Sequence, residues 1–261
     1  MRELHTFAIC AYQDSPYLEA CIRSIIRQSC PSKVILCTST PSAYIEGLAE
    51  KYGIPLYVRD GRSNIRDDWN FAYRMADARY VTIAHQDDYY RRHYVRTLIG
   101  CIRKYPDLTL FASDAITVKD GQPLRFERLR IVKKLLRLGL RIPRLNHLSW
   151  VKMSALRFGN AICCPSCTYR KEPSEEFFSS DFQFVLDWDK LISLAEKPGR
   201  FICAETPLLL HRLHPDAATN ACMKDSRRFR EEMQIFERLW PKPVAGLLMR
   251  YYRKAYDSYE E

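Results

Sequence analysis

The sequence predicts an α/β fold in which a mostly parallel sheet carries helices on both faces. Short aliphatic and β-branched runs, which are typical of buried strands, alternate with helical patterns from residue 6 to residue 112. Several of these runs end abruptly in polar residues, as strands do at the edge of a sheet. Apolar residues also make up 47% of the 261 residues, enough for a core in one large domain or two closely packed subdomains.

The predicted elements follow one another in a regular order. Residues 6–12 form the first strand, and Pro16 suits the first turn of the helix that follows. Apolar side chains recur on one face of that helix, and Gly53 ends the second helix. Further strands are predicted at residues 34–37, 56–58, 80–84, 108–112 and 207–210, and further helices at residues 42–52, 69–76, 94–102 and 225–261, the last with a break at 240–241.

Three predicted strand ends, at residues 11–13, 38–40 and 85–88, are expected to meet in one crevice. In open parallel sheets ligands bind beyond the carboxyl ends of the strands, so this crevice is the expected binding site. No glycine-rich fingerprint follows the first strand, which counts against a dinucleotide fold and against a P-loop. A bound phosphate would need another partner, and a metal ion would serve.

The strand at residues 80–84 leads, through His85 and Gln86, into the adjacent acids Asp87 and Asp88. Neighbouring carboxylates repel each other unless a cation lies beside them. Mg²⁺ and Mn²⁺ prefer oxygen ligands and commonly bridge protein carboxylates to substrate phosphates. The pair therefore predicts a divalent metal site. The alternative is a helix N-cap, where Asp is also favoured.

The charge balance favours an anionic partner. With 41 basic and 31 acidic residues the net charge is +10, which leaves a nucleotide, a nucleic acid and an acidic membrane as candidates. No apolar run of 18 residues occurs, and the first residues lack the apolar core of a signal peptide. We therefore expect a cytoplasmic chain.

The ten cysteines are mostly expected to lie in the core, because several fall inside apolar strand or helix patterns. Cys164 and Cys167 form a close pair that is typical of zinc ligands. Zinc would need two further ligands, for which Cys203, His211 or His214 are the nearest choices. A second pair with matching spacing is missing, which argues against zinc.

A basic amphipathic helix is predicted over residues 125–144. Its basic residues fall on one narrow stripe, and leucine, isoleucine and valine fill the remaining faces. The stripe consists of Arg130, Lys133, Lys134, Arg137 and Arg141. This pattern is typical of a helix in an anionic membrane interface. The alternative is a helix at a domain edge that packs on the core and presents a solvated basic face.

Two later segments carry polar residues at predicted element ends. Asp187 and Asp189 flank a tryptophan where a helix begins, a place at which Asp also acts as a cap. The strand at residues 207–210 leads into His211, Arg212 and His214. Arginine and histidine can contact diphosphate oxygens, and histidine can bind a metal, although such residues are also common on surfaces.

Together these motifs resemble the glycosyltransferases of family 2, which have the GT-A fold and use nucleotide sugars. The strand and helix of residues 7–28 resemble the nucleotide-binding start of that family. The run from Trp69 to Asp88 resembles its Asp-x-Asp-Asp segment, and residues 186–189 resemble its Glu-Asp motif. His211 to His214, followed by Thr219, resembles its Arg-x-His segment. The resemblance spans about residues 6 to 220.

The resemblance implies a role for each matching residue. Asp88 and Asp87 would hold Mg²⁺ or Mn²⁺ on the donor diphosphate, with His214 reaching the metal or the diphosphate, and Asp187 would be the general base. The donor itself would contact Ala11, Tyr12, Gln13, Ser39, Asn70, Gln86, Asp87 and Arg212.

Three positions depart from the family pattern. Residues 10–13 read Cys-Ala-Tyr-Gln where the family usually has proline, threonine, tyrosine and asparagine. Thr38 and Ser39 stand where an Asp pair commonly contacts the base, and His85 replaces the first Asp of the Asp-x-Asp-Asp motif. The first two departures bear on the identity of the base, and the third on a ribose or metal contact.

The implied protein is a Rossmann-like GT-A enzyme with a helical C-terminal region. Residues 1–120 would bind the donor, residues 121–220 the acceptor, and residues 221–261 would form the helical segment. It would be an inverting, metal-dependent glycosyltransferase with a UDP-sugar donor and a glycan or lipid-linked acceptor. Its role would lie in cell-surface polysaccharide or glycolipid synthesis, in the cytoplasm with a peripheral contact to the anionic inner face of the plasma membrane.

Two other functions are compatible with parts of the sequence. A metal-dependent nucleotidyltransferase of similar fold would use the same acidic pair. A basic nucleic-acid-binding protein would use the stripe of residues 130–141 on phosphates. The acids at two element ends would repel a polyanion, so no nucleic-acid partner is expected.

Overall fold

A single mixed sheet lies at the centre of the protein. The computed structural model describes residues 4–124, 128–174, 176–214 and 227–260, and within these ranges nine strands belong to this sheet. The strands are β1 (His5–Ala11), β2 (Lys33–Thr38), β3 (Leu56–Val58), β4 (Tyr80–His85), β5 (Tyr89–Tyr90), β6 (Leu108–Lys119), β7 (Gln122–Pro123), β8 (Thr168–Arg170) and β9 (Arg200–Leu213).

Helices connect the strands and form the C-terminal region. They are α1 (Leu18–Ile26), α2 (Ala43–Tyr52), α3 (Ile65–Met75), α4 (Tyr94–Lys104), α5 (Arg128–Leu136), α6 (Ser149–Ser154), α7 (Leu186–Glu196), α8 (Arg227–Leu239) and α9 (Lys242–Glu260). The predicted break at Trp240 and Pro241 separates α8 from α9. Among the described helices none combines the length and apolarity needed to cross a bilayer.

The strand order brings distant parts of the chain to one edge of the sheet. The order is β3-β2-β1-β4-β8-β6-β9-β5, and β7 pairs with β6. Strands β1 to β4 run parallel, as predicted, whereas β8 runs antiparallel to both β4 and β6. Because β8 reverses the direction twice, β6 and β9 again run in the direction of β4. The carboxyl ends of β1, β2, β4 and β9 therefore lie at the same edge.

The core has two layers, one on each face of the sheet. Side chains of β1 alternate between the faces: Phe7 and Ile9 pack with α1 and α4, whereas Ala8 packs in the layer that contains residues of α3, α7 and α8. In the second layer Trp188 of α7 and Phe236 of α8 make an edge-to-face contact. This confirms the predicted sheet with helices on both faces.

The helix expected over residues 125–144 is shorter than predicted, because α5 is followed by a 3-10 turn. Residues 125–127 lie outside the described residues, α5 ends at Leu136, and a 3-10 turn follows at Leu138–Arg141. A Cβ on Gly139 would lie only 2.8 Å from Val151, and Pro143 cannot supply a helical N–H, so the α-helix does not continue.

The basic stripe faces inward because a buried carboxylate lies beneath it. Asp114 of β6 is 2% exposed and lies where the pairing of β6 with β9 shifts its register. Its carboxylate accepts hydrogen bonds from Arg130 at 2.7 Å and from Arg137 at 2.8 Å, and Lys134 lies 3.4 Å away. Arg141, the last residue of the stripe, pairs with Glu205. The basic face is thus tied to the protein rather than solvated.

The ion cluster predicts a large loss of stability when its acid is removed. In Asp114→Ala the guanidinium of Arg137, whose side chain is 6% exposed, loses its carboxylate partner. Breaking a buried ion pair from one side leaves an uncompensated charge, so we expect the free energy of unfolding to fall by about 3 kcal/mol in urea denaturation. Asp120→Asn is the control, because Asn tolerates the positive φ of 52° at that exposed turn. A fall in the free energy of unfolding of less than about 1 kcal/mol would contradict a stabilising role for this ion cluster.

Candidate active site

A cleft of about 1080 Å³ opens at the shared carboxyl edge of the parallel strands. It is bounded by the ends of β1, β2 and β4, by the start of α3 and by the residue that follows β9. Its lining includes Ala11, Tyr12, Gln13, Thr38, Thr40, Asn64, Asp68, Trp69, His85, Gln86, Asp87 and His214. The three predicted strand ends therefore meet in one crevice.

Side-chain hydrogen bonds fix the turn after β1. The side-chain amide of Gln86 accepts a hydrogen bond from the N–H of Tyr12 at 2.9 Å and donates one to the carbonyl of Tyr12 at 3.0 Å. The N–H of Gln13 donates to the hydroxyl of Thr40 at 2.8 Å. Gln13 also has a φ of 52°, a conformation uncommon for a residue other than glycine. These contacts join the ends of β1, β2 and β4 into one wall of the cleft.

The second wall is an acidic corner where β4 meets β9. Asp88 is 1% exposed, and its Oδ1 accepts hydrogen bonds from Nδ1 of His211 and from the N–H of Arg212, both at 3.0 Å. The antiparallel pairing of Tyr89 with Leu210 sets this register, because it brings Asp88, which precedes Tyr89, to His211, which follows Leu210. His211 and Arg212 thereby reach the acids that follow β4.

Opposite charge dominates the electrostatics of this corner. Burial acts to raise the pKa of Asp88, but the charge of His211 and its hydrogen bond outweigh it, so the pKa lies below its ordinary value. For His211 burial acts to lower the pKa, and the carboxylate of Asp88 raises it overall. The two groups form a charged pair.

Asp87 is held by the segment that follows β9. Its backbone carbonyl accepts a hydrogen bond from Arg212 at 2.8 Å, and Oδ2 lies 3.1 Å from Nε2 of His214. The ring of Tyr17 packs against both residues, 4.4 Å from the guanidinium of Arg212 and 4.8 Å from the imidazole of His214. Two acids and two cationic or imidazole side chains therefore converge on one side of the cleft.

The acidic corner fits a divalent cation. Oδ2 of Asp88 is buried and has no hydrogen-bond partner among the described residues, which is costly for a carboxylate oxygen unless a ligand satisfies it. In the part of the chain that the structure describes, no three His, Cys, Asp or Glu side chains are already gathered as a metal cage. Mg²⁺ and Mn²⁺ commonly use one or two carboxylates and complete their shell with phosphate oxygens and water, so two acids suffice.

Asp187 is the second residue of α7 and is 9% exposed. Its Oδ2 accepts a hydrogen bond from the amide of Asn160 at 2.7 Å. Burial raises the pKa of Asp187 to about 6, opposed by hydrogen bonds from the Trp188 backbone and from Asn160 and, more weakly, by the charge of Lys133.

A thiol lies between Asp187 and the end of β4. Sγ of Cys164 is 3.8 Å from Nε2 of His85, the residue that replaces the first Asp of the motif. Burial raises the pKa of the Cys164 thiol well above its ordinary value, and the charges of Asp187 and Asp88 add to this effect. His85 itself stacks on Trp69, and burial lowers its pKa. Asp187 is not among the described residues that line the cleft, and the charges of Asp187 and Asp88 both act on the Cys164 thiol.

Three predicted donor-binding residues, Asn70, Ser39 and Arg212, are not among the described residues that line the cleft. Asn70 is 3% exposed, and its amide donates to the carbonyl and accepts from the N–H of Phe178, so it holds a loop. Ser39 is not among the described residues that line the cleft, whereas its neighbours Thr38 and Thr40 are. Thr219 lies outside the described residues.

The sequence reasoning missed several residues of the site. Asn160, Cys164 and Tyr17 each contact a candidate functional residue, and Asp68 lines the cleft with its carboxylate bound by Arg59 and Ser63. For Asn160 the preceding glycine was the available signal, because glycine often marks a strained or closely approached backbone. Cys164 was marked only as part of a possible zinc pair, and Tyr17 and Asp68 give no signal in a single sequence.

Comparison with known proteins identifies the family. No curated protein matches the sequence. The profile described as Glycosyl transferase family 2 matches residues 6–178. The chain belongs to glycosyl transferase family 2. Membership of this family supports a glycosyltransferase that uses a nucleotide sugar.

Solved structures of distant glycosyltransferases share the fold. TarS from S. aureus, residues 1–349 in complex with UDP, has a TM-score of 0.60 at 12% identity over 94% of this chain and 69% of that chain. The mannosyltransferase PcManGT from Pyrobaculum calidifontis, in complex with GDP-Man and Mn²⁺, gives 0.59 at 14% identity over 97% and 69%. Glucosyl-3-phosphoglycerate synthase from Mycobacterium tuberculosis, with Mn²⁺ and UDP-Glc, gives 0.53 at 13% identity over 88% and 77%. The predicted GT-A fold is confirmed.

Proposed function

We propose that this family 2 glycosyltransferase moves a sugar, with inversion, from a nucleotide-diphosphate sugar to an acceptor hydroxyl. The observation that carries the proposal is the pairing of two acidic centres of different character. Asp87 and Asp88 lie in a charged corner at the end of β4, of which Asp87 lines the cleft, whereas Asp187 is buried with a raised pKa. Environments that separate the pKa values of acids are typical of sites that assign them different roles.

The acidic corner is the proposed diphosphate site. Asp88, through the buried Oδ2 that has no hydrogen-bond partner among the described residues, and Asp87 would hold Mg²⁺ or Mn²⁺, with His214 beside them. When bound, the cation would supply Lewis-acid stabilisation of the diphosphate charge. Arg212 lies against Asp87 and Tyr17, where its charge favours a diphosphate. Two of the three compared structures are complexes with Mn²⁺, and two are complexes with UDP or UDP-Glc, which supports a metal and a UDP-sugar.

Asp187 is the proposed general base. A pKa of about 6 leaves the carboxylate mostly ionised at neutral pH while keeping it basic enough to accept the proton of an acceptor hydroxyl as the new bond forms. Burial raises the pKa of the Cys164 thiol and lowers the pKa of His85, so neither group adds a competing charge at neutral pH. Inversion follows when that hydroxyl attacks opposite the departing diphosphate.

We propose that an anionic membrane delivers the acceptor, which favours a lipid-linked glycan and a role in cell-surface polysaccharide synthesis. The support is the outward face of α5 and of the segment that follows it. Ile131, Val132, Leu135, Leu138, Ile142 and Trp150 are 47% to 66% exposed. An apolar surface with an aromatic residue on a chain of net charge +10 suits an anionic bilayer interface.

The first prediction concerns the base. Removing the carboxylate in Asp187→Asn should lower kcat by about 10² to 10⁴, because general base catalysis is worth that much. Binding of UDP, measured by calorimetry, should not change, since the residue does not contact the diphosphate corner. Asp189→Asn is a matched control, because Asp189 lies two residues further on and pairs with Arg238. Normal turnover of Asp187→Asn would exclude this residue as the base.

A second prediction concerns the metal site. In Asp88→Ala the buried oxygens beside His211 and Arg212 are lost. We expect calorimetry to show UDP binding in Mn²⁺ reduced to the level seen in EDTA, because the cation can no longer bridge protein and diphosphate. Asp77→Ala, at an exposed acid paired with Lys33, should retain the Mn²⁺ effect. A full Mn²⁺ effect in Asp88→Ala would contradict the assignment.

A third prediction concerns the membrane surface. The double variant Leu135→Glu with Leu138→Glu places charge on the exposed apolar face, so flotation with phosphatidylglycerol vesicles should show at least about tenfold weaker binding. Reversing Lys134 or Arg137 would be a poor test, because both contact Asp114. Leu247→Glu, at an exposed leucine of α9, is the control. Equal flotation of all three proteins, or none by the unaltered protein, would refute membrane binding.

A further inference from the structure

The amide of Asn160 is fixed in the orientation that serves Asp187. Its carbonyl oxygen accepts a hydrogen bond from the N–H of Ile162 at 3.1 Å. The amino group must therefore be the end that faces Asp187, to whose Oδ2 it donates at 2.7 Å. One carboxylate oxygen is anchored in this way, so the plane of the carboxylate cannot turn freely about its last torsion.

The C-terminal helix α9 sets the position of Asn160. The preceding residue, Gly159, has a φ of 131°, and a Cβ there would lie 2.5 Å from the ring of Tyr252. The N–H of Asn160 donates to the hydroxyl of Tyr252 at 3.3 Å. The same ring stacks on Trp188, the neighbour of Asp187, with ring centroids 6.2 Å apart. Tyr252 thus touches both segments that carry the contact.

A second C-terminal contact holds the start of α7. The carboxylate of Glu231 in α8 accepts hydrogen bonds from the backbone N–H groups of Gln183, Phe184 and Val185 at 2.7 to 3.2 Å. An acidic side chain on these free N–H groups stabilises a helix start. The residues before Asp187 are therefore fixed independently of Asn160.

We infer that Asn160 is a positioning residue for Asp187 and that Tyr252 of the C-terminal helix holds it in place. Asn160 anchors one oxygen of the carboxylate and stabilises its charged form, so the base is both oriented and ionised when the acceptor arrives. This inference rests on the proposed role of Asp187 in transfer. It gives a function to a C-terminal segment in which the sequence shows no chemistry.

The groups around Asp187 leave Asn160 as the contact to test. Lys133 of α5 contributes a positive charge, and backbone N–H groups of α7 contribute hydrogen bonds. His85, which contacts Cys164, has a pKa lowered by burial. The charge of Asp187 also acts on three thiols and a phenol among the described residues. Burial raises the pKa of Cys163 to about 12 and the pKa values of Cys164, Cys167 and Tyr169 well above their ordinary values. These groups stay neutral between pH 5 and pH 8, so they do not obscure the titration of Asp187.

The experiment follows the titration of Asp187 with and without its amide partner. Carboxyl ¹³C resonances of the full chain are recorded between pH 4 and pH 8, and Asp187→Asn identifies the signal. In Asn160→Ala we expect the midpoint to move up by roughly one pH unit, because a hydrogen bond to the charged form is lost. The acid limb of kcat/KM should move by the same amount. Asn160→Asp keeps the shape and should move the midpoint further, since two acids then share the site.

The control is Asn146→Ala, which removes another buried amide that donates to a backbone carbonyl, that of Leu140. It should lower the melting temperature and leave the Asp187 midpoint in place. A midpoint unchanged in both Asn160 variants would overturn the inference, even if activity fell. If the midpoint moves but Asp187→Asn retains full transfer, the positioning contact stands and the proposed base is wrong.

Discussion

The site depends on one buried carboxylate that joins the two halves of the sheet. Asp88 follows β4 in the amino-terminal half, and its Oδ1 is bound by His211 and by the N–H of Arg212 at the end of β9. A carboxylate that is 1% exposed is unfavourable without such partners, so the protein must hold the end of β9 against the end of β4. That closure places Arg212 and His214 beside Asp87. The acidic corner therefore forms only where the end of β9 meets the end of β4, and neither half of the sheet forms it alone.

Contacts with the two C-terminal helices hold Asp187 and its neighbours in place. Asp187 stands near the start of α7, and Glu231 binds the backbone N–H groups of residues 183–185 just before that helix. Trp188 packs against Phe236 and Tyr252. The two C-terminal helices therefore press on α7 from the side away from the cleft. Fixing a side chain through packed neighbours is how a protein keeps a reacting group within small tolerances. The N-terminal half supplies the donor cleft, and the C-terminal helices supply the rigidity of the acid proposed to act on the acceptor.

The sequence predicted the parts that depend on local patterns. The alternation of β1 to β4 with their helices and the crevice at their carboxyl ends are both found. The contact of residues 85–88 with residues 211–214 was implied only by the family resemblance, because it joins distant parts of the chain. The short strand β8 was not predicted, because three residues give too little periodicity, and its antiparallel direction depends on pairing with β4 and β6. Asn70 was expected in the donor site but binds the backbone of Phe178. A single sequence does not show whether the side-chain amide of an asparagine is buried against the backbone or exposed in a cleft.

Asp114 determines which face of α5 points toward the protein and which face is exposed. The basic stripe alone allowed a solvated basic face or a membrane-facing helix, because nothing local to residues 125–144 marks the acid that binds the stripe. Asp114 lies at the bulge of β6 and turns Arg130, Lys134 and Arg137 inward, so the apolar side chains of α5 point out. The same helix carries Lys133, whose charge acts on Asp187. The exposed apolar face and the positive charge that acts on Asp187 therefore belong to one helix, whose orientation is set by Asp114.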